Sequence, residues 1–126
     1  SFGRMEEPKE QEPEYVFLHE MAADEKGKTF AAIINPELGI GVKIAYDVNE
    51  LPYFMQWKSV ASGDYVVGLE PANASVYGRV YHEREQSLHR IRPFAEERKR
   101  IEVSFLTGRG LDEVKEEAES LLKERK

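Results

Sequence analysis

The stretch from Leu51 to Asn73 constrains the fold of this chain more than any other. It reads as two strands joined at Ser62-Gly63, a two-residue loop in which glycine supplies the positive φ that tight hairpins need. That register sets Ala61 opposite Asp64, Val60 opposite Tyr65, Trp57 opposite Gly68 and Met55 opposite Glu70. Opposed residues share a face, and so do alternate residues along a strand. Trp57, Gly68 and Glu70 are therefore expected together, with Gly68 leaving a gap beside the only tryptophan of the chain. Tyr65, Val67 and Leu69 then point the other way, into an apolar layer. Pro71 cannot donate to a ladder, so the second strand should end or lie at an edge just past Glu70. A three-residue loop would instead pair Gln56 with Glu70 and Leu69 with Trp57, so the register decides the face. Two readings stand: a ligand-binding face, or ordinary core with a bulge at Gly68 and a solvated strand end at Glu70.

The flanking sequence supplies more strands. Tyr15 to Glu20 and Thr29 to Ile34 read as the first two. Ile40, Val42, Ile44 and Tyr46 alternate as a half-buried third. Asp24-Glu25-Lys26-Gly27 and Asn35-Pro36 with Gly39 are turns. Beyond the hairpin, Val76 to His82 and Ser87 to Ile91 are expected as strands around an Arg84-Glu85-Gln86 turn, and Ile101, Val103 and Phe105 as one more. The period then changes. Leu111, Val114, Ala118, Leu121 and Leu122 recur every three or four residues with lysines gathered late, which predicts an amphipathic helix over 111–124. About eight short antiparallel strands and one C-terminal helix describe a mainly β protein, an antiparallel β-sandwich.

With 126 residues the chain has room for one domain, expected over 14–126. Residues 1–13 carry Glu6, Glu7, Glu10, Glu12 and two prolines with little apolar content, and read as a flexible acidic arm or linker. A net charge of −6 argues against general nucleic-acid binding. No apolar run reaches the length of a membrane span. Cysteine is absent, which removes disulfide and thiol chemistry and suits a reducing cytoplasm. No histidine–carboxylate spacing suggests a metal, and there is no phosphate-cradling glycine loop or nucleophile elbow, so no cofactor is expected.

The run Leu51-Pro52-x-x-x-Gln56-Trp57-Lys58, followed by Gly63-Asp64-Tyr65-Val66-Val67-Gly68-Leu69-Glu70-Pro71-Ala72-Asn73, resembles the C-terminal part of an aldose 1-epimerase-like family in the galactose mutarotase-like superfamily. Glu14 to Glu20, Ala32 to Gly39, Tyr77-Gly78-Arg79, Ser87-Leu88 and Ile101-Glu102-Val103 fit the same pattern, from about Glu14 to Gly108. The resemblance implies part of a supersandwich that binds an aldose or sugar phosphate. Members of that family are longer, so it also implies an incomplete site here. By position in Leu-Glu-Pro-x-Asn, Glu70 corresponds to the base that takes the anomeric proton. A histidine, upstream in that family, protonates the ring oxygen. Trp57 would offer a plate for a sugar ring, while Gln56 and Asn73 would bind hydroxyls; Asn73 serves equally as a turn residue.

His19 is the remaining candidate for substrate contact, although alternation puts it with Tyr15 and Phe17 on a packed face. His82 and His89 are expected in solvent, as are Lys58 and the basic stretches His89 to Arg92 and Arg98 to Arg100. A half-sandwich leaves sheet edges and apolar faces uncovered, so a homodimer or association with a missing N-terminal half is expected. The competing functions are a sugar-binding module without turnover and a structural or oligomerisation domain.

Overall fold

The computed structural model describes residues 1–124. The chain is mainly β, with two antiparallel three-stranded sheets and two helices. That is the class and the C-terminal helix the sequence led to. In contact terms the chain forms two compact units. Residues 1–20 and 52–90 make the first, and residues 21–51 with the chain from Ile91 onward make the second.

The first unit is built on the hairpin. β4 (Tyr53–Ser59) lies between β1 (Tyr15–His19) and β5 (Val66–Ala72). The Asp64 amide donates to the Ala61 carbonyl at 3.1 Å and Gly63 takes φ 95°, so Ser62-Gly63 makes the two-residue turn. The ladder pairs Trp57 with Gly68 and Met55 with Glu70, the expected register. Pro71 is tolerated because β5 is an edge strand. Val67 and Leu69 are half-buried, whereas Tyr65, expected in the apolar layer, is 47% exposed and donates its hydroxyl to the Glu6 carbonyl at 2.8 Å.

Two of the expected strands do not form, so among the described residues there are six rather than eight. Val76 to His82 is a turn leading into helix α1 (Gly78–Arg84), and residues 87–91 have no regular structure. The cause is local. Gly78 enters the helix at φ 81°, Val80 is exposed, and the burial that matters falls on His82, which gathers hydrogen bonds from both sides of the helix.

In the second unit β3 (Ile40–Asp47) lies between β2 (Lys28–Asn35) and β6 (Glu102–Thr107). Asn35 Oδ1 accepts the amides of Glu37 and Leu38, and Gly39 at φ 64° completes the β2–β3 turn. Helix α2 (Arg109–Glu124) buries Val114 and sets Leu111 against Gly41. A Cβ added at Gly41 would lie 2.9 Å from the Ile33 carbonyl oxygen and 3.1 Å from Leu111. Because one neighbour is backbone, relaxation has to move β2 or α2. Gly41→Ala is expected to cost about 1–3 kcal/mol of stability, as overpacked cores do; an unchanged urea midpoint would refute that seating of α2.

The opposite face of this sheet is apolar and open. Val42 pairs with Phe105 and Ile44 with Val103, so these side chains share a face with Ile33. Phe105 is 85% exposed and Val103 55%.

Candidate functional site

Strand parity divides the expected site residues between the two faces of the first sheet. Val16, Trp57 and Gly68 form one row, and Leu18, Met55 and Glu70 the next. On the reverse face Phe17, Gln56 and Leu69 form a row beside His19, Phe54 and Pro71. Glu70 and Trp57 therefore belong together, whereas Gln56 and His19 lie on the other side of the pleat.

On the Glu70 face, the Glu70 carboxylate turns back along its own strand over Gly68. Its Oε1 is 2.5 Å from where a Cβ of residue 68 would be. The missing side chain of Gly68 is thus the space the carboxylate uses, directly across from Trp57. The indole N–H donates to Glu14 Oε2 at 3.1 Å. Two carboxylates thus bear on the indole row, one through a hydrogen bond and one across the ladder. Glu14 was not anticipated from sequence, yet its parity with Val16 and Leu18 points to this face. Val16 and Leu18 are 50% and 43% exposed, which leaves an apolar margin open to solvent. Glu70 and Asn73 are exposed too, Asn73 in the bend that follows β5.

The reverse face is covered by the segment expected to be a loose acidic arm. His19 Nε2 donates to Gln56 Oε1 at 3.0 Å, and Gln56 Nε2 donates to the Phe2 carbonyl at 2.9 Å. The Phe2 ring stands edge-on to Phe17 at 6.1 Å and to His19 at 5.2 Å. Lys58, expected in solvent, is 2% exposed. Its ammonium donates to the carbonyls of Ser1 and Arg4, each at 2.5 Å, and to the Glu6 carboxylate. Lys58, and after it the ammonium of Ser1, holds the Glu6 carboxyl down at about 2. Farther along, the Lys9 amide donates to the Val60 carbonyl at 2.9 Å and the Ser62 amide to the Lys9 carbonyl at 2.9 Å.

His82, also expected in solvent, is 1% exposed; His89 is exposed as anticipated. Sequence reasoning missed both: Lys58 is buried by partners more than fifty residues away, and His82 by serines in the irregular segments that flank α1. Two cavities accompany these elements. One of about 290 Å³ lies in the first unit against Glu6, Lys9, Tyr15, Phe17 and Lys58. The other, of about 830 Å³, lies in the second unit against Phe30, Lys43, Tyr46, Arg98, Glu117 and Leu121. Lys28 pairs with Asp47 at 3.0 Å and Lys43 with Glu117 at 2.5 Å, so its charges largely offset one another. Glu70 and Trp57 line neither; theirs is an open sheet face. Among the described residues no group of three or more side chains is arranged to hold a metal ion. No helix among them is long and apolar enough to cross a membrane.

These features define a mainly β chain whose central hairpin presents a carboxylate across from an indole. Residues 1–105 match the family described as a domain of unknown function (DUF4432), and the chain belongs to that family. No curated protein and no solved structure matches it.

Proposed function

We propose that this chain carries the base-bearing part of a carbohydrate site of the aldose 1-epimerase type. The observation that carries this reading is the Glu70 carboxylate lying in the space left by Gly68, across the ladder from Trp57. An indole face packs on the C–H face of a sugar ring, and a carboxylate beside it accepts a hydroxyl proton. In mutarotation Glu70 takes the proton of the anomeric hydroxyl, the ring opens, the C1–C2 bond turns and closure on the other face gives the other anomer. The proton for the ring oxygen comes from another group. His19 and Gln56, bonded to each other on the reverse face, do not supply it from where they stand. Asn73, exposed three residues beyond Glu70, brings an amide that binds a hydroxyl. We place the activity in the cytoplasm, where a cysteine-free chain loses nothing to reduction.

Trp57, as the only tryptophan, reports on its own site. Titration with a panel of aldoses is expected to change its emission with dissociation constants on the order of 1 mM, which corresponds to about 4 kcal/mol. Gly68→Ala is the sharpest variant. Its Cβ displaces only the flexible end of Glu70, so the melting temperature is expected to hold while sugar binding weakens. Emission unmoved by every aldose would overturn the reading.

A second reading concerns association. Phe105 and Val103, exposed beside Val42 and Ile44 on one sheet face, favour burial against a second copy of the chain or an N-terminal half. Sedimentation velocity is expected to show a dimer. A monomer persisting at about 100 μM, a concentration that would reveal even weak self-association, excludes the homodimer.

A further inference from the structure

His82 joins three pieces of chain that no ladder holds together. Its Nε2 is 3.0 Å from the Ser75 amide nitrogen and 2.8 Å from Ser75 Oγ, and its Nδ1 is 2.9 Å from Ser87 Oγ. The Ser87 amide donates in turn to the His82 carbonyl at 2.9 Å. The ring lies edge-on to Tyr53 of β4 and to Tyr81 of α1, at 5.3 Å in each case. One side chain thus fixes the loop leaving β5, the short helix and the turn after it against the sheet.

The hydrogen bonds assign the proton. A backbone N–H only donates, so Nε2 accepts from Ser75, and the ring proton is on Nδ1, which donates to Ser87 Oγ. The closed arrangement therefore requires neutral imidazole. A second proton on Nε2 would oppose the Ser75 amide N–H, leave only Ser75 Oγ to accept it, and place a charge at a site that is 1% exposed. Once the ring swings out, water solvates the imidazolium. The titratable groups facing the ring are the phenols of Tyr53 and Tyr81. Of the charged residues of α1, Glu83 pairs with Arg90 and Arg84 with Glu85 at the surface, and Arg79 is exposed.

We propose that His82 is a positioning residue and a proton-operated latch for the Asn73–Tyr77 loop, closed when the imidazole is neutral and open when it is charged. The loop begins three residues after Glu70 and carries Asn73. The consequence that acid weakens sugar binding rests on the function proposed above; the latch itself does not. The sign follows from proton counting. The open state binds one proton more than the closed state, so lowering the pH favours opening.

Amide hydrogen exchange of the whole chain between pH 8 and pH 5, corrected for intrinsic chemistry, tests this directly. As the pH is lowered, the opening constant at the Ser75 amide is expected to rise, by up to about tenfold per pH unit, the limiting slope for one linked proton. His82→Gln keeps an amide acceptor but has no proton to gain, so its profile is expected to be flat. Should that variant fold poorly, nitrogen NMR of the wild type suffices: the His82 ring is expected as the Nδ1–H tautomer, and the Ser75 amide shift is expected to move when the ring takes up a second proton. A flat wild-type profile, an equal slope in His82→Gln, or an Nε2–H tautomer overturns the latch. The two ideas separate cleanly. A sloped exchange profile without any aldose response at Trp57 keeps the latch and removes the sugar reading, and the reverse pattern does the opposite.

Discussion

Lys58→Met is expected to free residues 1–9 from the sheet while the three-stranded core stays folded. The methionine keeps the buried apolar stem and removes only the ammonium, on which the Ser1 and Arg4 carbonyls and the Glu6 carboxylate converge. Hydrogen bonds from a charged donor contribute about 1.5–3 kcal/mol each, so losing the two to carbonyls alone should raise arm opening at least a hundredfold, on the order of 10²–10⁴. Trypsin reads this directly, because Arg4 and Lys9 lie in the segment and cleavage follows the open population when reclosing is fast. A cleavage rate equal to wild type would show that Phe2 and the Lys9 bridge hold the arm without the lysine. The same clamp predicts an acid limb. With the Glu6 carboxyl near 2 when folded, against an ordinary value of 4.5, its contribution is complete above pH 4.5 and is lost as the pH falls toward 2. A third of the Glu6 side chain is exposed, so salt should blunt this limb, and Lys58→Met should abolish it.

What the sequence disclosed and what it hid divide along a physical line. The hairpin register, the placement of Trp57 with Gly68 and Glu70, and the helix carrying Leu111 and Val114 were legible because period and turn chemistry are local. The strand expected at Val76 to His82 failed because tyrosine, valine and histidine suit a strand only if an edge receives them. Here Ser75 and Ser87 offered the His82 ring a local set of partners instead. Gln56 shared a motif with Trp57 but not a face, since adjacent residues in a strand point apart. Lys58 was hidden by composition. An acidic, proline-bearing segment reads as solvated, and nothing local to it announces a buried ammonium more than fifty residues away.

Glu70→Gln is the substitution expected to affect chemistry most. The amide is isosteric with the carboxylate and fits over Gly68, so folding and the emission response of Trp57 to sugar should survive, with affinity changed only modestly. What it removes is the ability to accept a proton. General bases contribute about 10²–10⁴-fold, so any acceleration of anomer exchange seen at high protein concentration should fall to the spontaneous rate. Magnetisation-transfer NMR between the α and β anomers measures this without coupling enzymes. Three outcomes are distinct. Exchange that is accelerated in the wild type and lost in Glu70→Gln makes Glu70 the base. Exchange that persists in the variant removes Glu70 from that role and directs attention to Glu14, the carboxylate on the indole N–H of the same face. Binding without acceleration in either protein makes the face a sugar-recognition surface whose acid lies on another chain or segment, and adding an N-terminal half that bears a histidine should then restore turnover in the wild type and not in Glu70→Gln.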